Sequence, residues 1–163
     1  MASHDSDRAV ALSLQLAQAH QELRGRIGAL KADLGRRRLD DDVLATHCLA
    51  FCAALTTHHQ GEDQGLFAEL VRERPDLAGT VASLVEDHHM IESILLRVAE
   101  LAADAARSPG TGLDAVSREL DGLMAIMESH FNYEERAISR ALDAGVPDTG
   151  WSDRVFRFRE GTT

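Results

Sequence analysis

Aromatic side chains are scarce in this chain, only 4% of its 163 residues, with one Trp and one Tyr. Core volume therefore has to come from small and aliphatic residues, and helix-on-helix packing suits that supply. Cysteine is limited to Cys48 and Cys52. Four apart on one predicted helix, they suit two small buried hydrophobes better than a disulfide, although thiols beside a redox site would share the spacing. Long hydrophobic runs are missing, and none approaches the roughly 18 residues of a membrane-spanning helix. The opening "MASHDSDRAV" is polar and acidic with no signal-peptide core, so the expected location is cytoplasmic. Positive charge is in deficit: 17 Lys and Arg stand against 27 Asp and Glu, a formal charge of −10 that repels phosphate backbones and anionic lipid surfaces. Nucleic acid and membrane are thus not expected partners. The one basic run, in "GRRRLD" at 35–40, closes a predicted helix and suits the negative end of its dipole.

What is present is a 44% hydrophobic content, enough for one domain with its own core. Helical periodicity appears in four long segments, with no convincing strand alternation. The first covers about residues 7–34, with Leu12, Leu16, His20, Leu23, Ile27 and Leu30 in line. The second follows the acidic "LDDD" and carries Leu44, Cys48, Phe51, Leu55, His58, Glu62, Leu66 and Leu70 before "RPDL". The third covers about 77–106, with Leu84, His88, Ile91, Leu95 and Val98, and "SPGTG" at 108–112 marks a turn. The fourth covers about 113–142, with Leu120, Leu123, Met127, His130, Glu134 and Ile138. Short connections make successive helices antiparallel neighbours, so the expected fold is an all-α, up-down-up-down four-helix bundle over 1–145. The tail at 146–163, with Trp151, Phe156 and Phe158, is expected to pack across one bundle end.

The stretch "HHQGEDQGLFAEL" at 58–70 has a faint double in "HFNYEERAISRAL" at 130–142, which aligns His58 with His130 and Glu62 with Glu134. Each half of the chain reads as a histidine, then His-x-x-x-Glu after 38 residues (His20 to His58) or 42 (His88 to His130). In an antiparallel hairpin such a separation returns to the same height, so all four histidines can share one layer. Burying four imidazoles and two carboxylates there without a cation would be costly. Positions i and i+4 lie one turn apart on one face, so each His-x-x-x-Glu can give an imidazole to one metal while its carboxylate reaches toward a second. This donor set suits iron or manganese, and a pair of ions better than one; zinc sites use fewer donors.

Four pieces, "AHQELR" at His20, "HHQGE" at His58 and Glu62, "EDHHMIE" at His88 and "HFNYEE" at His130 and Glu134, together resemble the hemerythrin-like proteins, or HHE cation-binding domain, over about 10–145. That resemblance implies an antiparallel four-helix bundle with a non-haem diiron centre, oxo- or hydroxo-bridged. His20, His58, His88 and His130 would be terminal ligands, and Glu62 and Glu134 bridging carboxylates.

The departures bear on function. Oxygen-carrying members of the family have a second histidine four residues after the third-helix ligand, where this chain has Glu92, and an aspartate at i+5 in the fourth helix in place of Glu134 at i+4. A fifth nitrogen donor is therefore missing from the expected set. Glu92 is expected to bind iron in its place, or His89 to swing inward; on the apolar line His88 faces the core and His89 flanks it. Tyr133 lies between ligand positions as a hydrogen-bond donor, a radical trap or plain packing. Carboxylate in place of imidazole favours ferric iron and works against reversible oxygen carriage. The expected function is redox chemistry on a small oxidant, above all catalase-like disproportionation of hydrogen peroxide in oxidative-stress protection, with Glu92, Glu134 or His89 moving the proton. The alternatives are binding, sensing or storage of O2, NO or iron without turnover, and a purely structural bundle.

Overall fold

The computed structural model describes residues 10–36, 40–108 and 113–158. The turn expected at 108–112, apart from Ser108, most of the basic run after Arg36, and the N-terminal start of the first helix lie outside the described residues. Among the described residues all regular structure is helical: α1 (Leu12–Arg36), α2 (Asp41–Gly61), a π-helical turn (Glu62–Leu66), α3 (Phe67–Glu73), a 3-10 turn (Pro75–Leu77), α4 (Ala78–Arg107), α5 (Leu113–Ala144) and α6 (Ser152–Phe156).

The expected second helix is one rod with an irregularity. Chain direction is kept through α2, the π turn and α3, but the Phe67 N–H reaches back five residues to the Glu62 carbonyl. One extra residue is thereby accommodated in the ladder, a feature found preferentially at functional sites. Arg74, with φ −132° and ψ 79°, and Pro75 then end the rod.

Side-chain rungs show how the rods align. Ser13 donates to Asp143, Arg24 to Glu128, and Lys31 pairs with Asp121, so α1 and α5 run antiparallel. Pairs His130–Asp87 and Arg97–Glu119 do the same for α4 and α5. Cys52 Sγ against the Leu95 carbonyl and Asp63 against His88 set the α2 rod antiparallel to α4.

Two apolar cores form, one on each side of a polar layer. The larger holds Leu23, Ile27, Leu30, Leu55, Ile91, Leu95, Leu123 and Met127, among others. A smaller one joins Leu16, Leu66, Phe67, Leu84, Ile138 and Leu142 to Trp151 and Val155. Fully burying each such Leu or Ile stabilises the fold by roughly 1.5–3 kcal/mol, which offsets the cost of the layer between. That layer falls where each rod's leucine seam is interrupted: His20 between Leu16 and Leu23, His58 and Glu62 between Leu55 and Leu66, His88 between Leu84 and Ile91, and His130 and Glu134 between Met127 and Ile138. Cys48 and Cys52 are buried and free, and burial pushes their thiols up to about 11 and about 12, so they serve as neutral packing.

After α5 the chain turns at Gly145, whose φ of +112° favours glycine, and again at Gly150 with φ +109°. Asp148 accepts from the Gly150 N–H and the Ser152 hydroxyl, fixing the start of α6. Trp151 and Val155 are buried against the α2 rod.

Candidate metal centre

His20, His58, His88, His130, Glu62 and Glu134 are all buried in the polar layer, and a further imidazole, His59, is buried with them. Four of the five imidazoles use Nδ1 to anchor themselves outward. His20 Nδ1–H donates to Glu135 at 3.2 Å, His88 to Asp63 at 2.7 Å and His130 to Asp87 at 3.0 Å. His58 Nδ1–H donates to the backbone carbonyl of Val155 at 2.7 Å. An ionised carboxylate or a carbonyl can only accept, so each ring is held with its proton on Nδ1 and its Nε2 lone pair facing inward. Packing fixes the planes: Phe131 stacks on His20 at 3.9 Å and 8°, and His59 stacks on His88 at 3.8 Å and 14°. Arg24 clamps Glu135, Glu128 and Asn132 and lies over Phe131, bracing the His20 side of the layer from outside.

The inward atoms converge. His58 Nε2 lies 3.3 Å from Glu62 Oε1, and His88 Nε2 lies 3.5 Å from the same oxygen. Glu134 Oε2 lies 3.3 Å from His130 Nε2 and 3.6 Å from His20 Nε2. Two inward nitrogens, His88 Nε2 and His130 Nε2, face each other at 3.1 Å. With both Nδ1 atoms protonated, those lone pairs repel unless a cation or proton sits with them. Three triads have one ligand atom per residue within 4.8 Å of one another: His59, His88 and His130; His20, His58 and Glu62; and Glu62, His88 and Glu134. Glu62 belongs to two of them, as a carboxylate shared by two ions would.

The electrostatics suit a cation among these donors. His20, His58 and His59 Nε2 and both oxygens of Glu62 and of Glu134 are buried without a hydrogen-bond partner. Seven such atoms in one layer are far outside ordinary protein practice, and each uncompensated group costs on the order of 1–3 kcal/mol. Burial, with the neighbouring His20, drives His58 down to about 3, and burial drives His59 well below the usual histidine value. Both are therefore neutral, which is the form that ligates. Burial and the charge of Glu134 push Glu62 well up, so that without a metal the carboxylate pair keeps a proton. Burial alone would lower His130, but the nearby carboxylates of Glu134 and Asp87 outweigh it and raise it. Imidazole nitrogens, those of His58 and His59 held neutral, with two carboxylates and an outer ring of Asp63, Asp87 and Glu135, form a donor set that iron or a similar divalent ion fits.

The six residues of the His and His-x-x-x-Glu repeat are thus brought together, while Glu92 is not. It is exposed, as is His89, and both lie on the rim of a cavity of about 100 Å³ that also touches Thr56, His59, Asp63 and His88. Ile91 and Leu95 carry the inward face of α4, which turns Glu92 aside. Tyr133 is 38% exposed, whereas the six donor residues of the repeat are buried. The fifth nitrogen sought at Glu92 or His89 has a counterpart elsewhere, since His59 on α2 is buried with the other imidazoles. Its line of Ala45, Cys52 and His59 recurs every seven residues beside the main seam, but Ala82, His89 and Leu96 share that spacing and are exposed.

Helical architecture among the described residues, with clustered imidazoles and carboxylates that could hold a metal ion, points to the class of helical cation-binding proteins. The family model of the hemerythrin HHE cation binding domain matches residues 13–142, and the chain belongs to that family. No curated protein and no solved structure matches the chain. Among the described residues no helix is long and apolar enough to cross a membrane.

Proposed function

We propose that this is a cytoplasmic non-haem diiron protein, an up-down-up-down four-helix bundle over 1–145 with its tail packed on it, which performs redox chemistry on a small oxidant, hydrogen peroxide foremost. The observation that carries the reading is the set of seven inward, unpartnered donor atoms. His20, His58 and Glu62 would hold one ion and His59, His88 and His130 the other, with Glu62 and Glu134 shared. Iron bound there would supply two-electron exchange and a Lewis-acidic position for an oxygen donor.

The chain's own residues do the rest. Hydrogen bonds to Glu135, Asp63 and Asp87 give three imidazoles anionic character, which favours the ferric state and so turnover over reversible carriage. Disproportionation converts two H2O2 into one O2 and two H2O, and its protons must be moved between oxygens. Asp63, half-buried between His88 and the cavity, with His89 and Glu92 at the rim, can hold or pass a proton to water. A cavity of about 100 Å³ admits a molecule of few heavy atoms and little more.

Iron content, the optical spectrum and oxygen evolution test the reading. About two irons per chain and oxygen release from peroxide above that of the same free iron are expected; a folded, metal-free protein in iron-replete cells would overturn it. A second reading, reversible binding of O2 or NO, is favoured by His59, because the fifth imidazole restores a nitrogen-rich set. Bound iron that forms a stable adduct with O2 or NO but leaves peroxide intact would select it.

A further inference from the structure

We propose that the C-terminal segment at 147–158, beyond the residues matched to the family, positions His58: the Val155 carbonyl holds the ring in its Nδ1–H form and aims Nε2 at the donor cluster. The consequence for metal affinity rests on the metal-binding reading above.

Three of the four anchored imidazoles lean on carboxylates carried by the long rods, whereas His58 alone leans on a backbone carbonyl of the tail. Its 2.7 Å bond is as short as that of His88 to Asp63. The tail is seated to hold that carbonyl in place. Gly61 and Gly65, one turn apart on the α2 rod, leave it room: a Cβ at Gly65 would lie 2.4 Å from Trp151 Cβ, and one at Gly61 would lie 2.7 Å from Arg154 Cβ. Glycine inside a helix costs about 1 kcal/mol relative to alanine, so both positions give up helix stability for this close approach. Trp151 is buried and donates Nε1–H to the Pro147 carbonyl at 2.8 Å; Arg154 donates to Gln64 at 2.8 Å. Phe158 packs beside His58, ring centres 6.0 Å apart and planes tilted by 47°. A carbonyl cannot take up a proton, so it sets one tautomer where a carboxylate could also release the ring.

A tail that merely covers apolar surface would affect stability and leave His58 unchanged. The full-length Gly65→Ala protein separates the two, with Gly28→Ala as control, because nothing lies within 4 Å of a Cβ there. Displacement of the tail is read from the fluorescence of the single Trp. In metal-free protein, nitrogen-15 spectra of the histidines should show a slowly exchanging His58 Nδ1 proton in wild type and Gly28→Ala. Exchange should be at least tenfold faster in Gly65→Ala. Cobalt(II) affinity should fall about 10–100-fold, the usual effect of losing a group that orients a ligand. Gly61→Ala, whose Cβ would lie 2.7 Å from Arg154 Cβ, provides the displacement with Trp151 intact if Gly65→Ala does not fold. A displaced tail with unchanged His58 exchange and cobalt affinity would overturn the proposal. Should wild type bind no metal while Gly65→Ala still frees the His58 proton, the metal reading falls and the positioning role stands.

Discussion

Two His-His pairs occur in this chain, His58–His59 on α2 and His88–His89 on α4, and the fold treats them differently. On α2 both rings are buried among the donors; on α4 His88 is buried and His89 faces solvent. Helix geometry alone does not explain it, since neighbours on any helix point about 100° apart. The difference is in what surrounds each rod. α2 packs against α1, α4 and α6, so a wide arc of its surface is covered: His58 turns to the α1 and α6 side, while His59 stacks on His88 of α4. α4 packs chiefly between α2 and α5, and the line one step off its seam, Ala82, His89 and Leu96, stays exposed. Entry to the polar layer is thus decided by the number of neighbours around a rod as much as by residue type.

Breaking that comparison takes two matched substitutions. His59→Leu should remove one inward nitrogen and with it most or all of one metal's occupancy, lowering stoichiometry from about two ions per chain toward one. Metal-free, the same variant should be more stable by roughly 1–3 kcal/mol, because an unpartnered buried imidazole is replaced by an apolar side chain. His89→Leu should leave both quantities unchanged. Elemental analysis and urea titration of the metal-free proteins check this; equal effects from the two changes would sink the distinction.

A smaller effect sharpens it with pH. His59 is held neutral in the fold well below the pH at which it protonates in the unfolded chain. Its share of stability is complete above about pH 6.5 and declines as pH falls toward its depressed folded value, because the unfolded state then binds the extra proton. The advantage of metal-free His59→Leu over wild type should therefore widen below pH 6.5, by up to about 1.4 kcal/mol per pH unit. Comparing the two proteins cancels the opposing contributions of Glu62 and His130, whose shifts run upward. Urea midpoints at pH 7, 6 and 5 measure the gap, and a constant gap would mean that His59 titrates normally.

Much of this was legible in the sequence. The leucine seams, broken in each rod by a histidine, placed the helices and the depth of the polar layer, because apolar period and donor period coincide. His59 was missed for a physical reason. Its line, Ala45–Cys52–His59, and the line Ala82–His89–Leu96 look equally apolar, and only the assembled neighbours decide which is covered. The π turn at Glu62–Leu66 was equally hidden, since the sequence on either side keeps helical period. Nor could spacing reveal that Val155, nearly a hundred residues on, would meet His58. Gly61 and Gly65 were the visible trace of that contact, but a helical glycine has several causes.

The smallest expected effect concerns Glu92, where α4 would come to match α2 if its second acidic or imidazole group reached the metal. Exposed at the cavity rim, Glu92 lies where protons exchange with water, whereas a ligand would lie inside with His88. Glu92→Ala should keep metal content at the wild-type level and lower peroxide turnover by about tenfold or less, below the usual range for losing a general acid or base in direct contact with the reacting group. His89 and Asp63 share the rim and can carry the same proton, which keeps the loss small. Metal analysis beside the pH dependence of oxygen evolution decides between the roles. A shifted pH profile with full metal places Glu92 in the proton path, whereas loss of iron on the scale of His20→Ala would show that α4, like α2, turns two of its side chains inward.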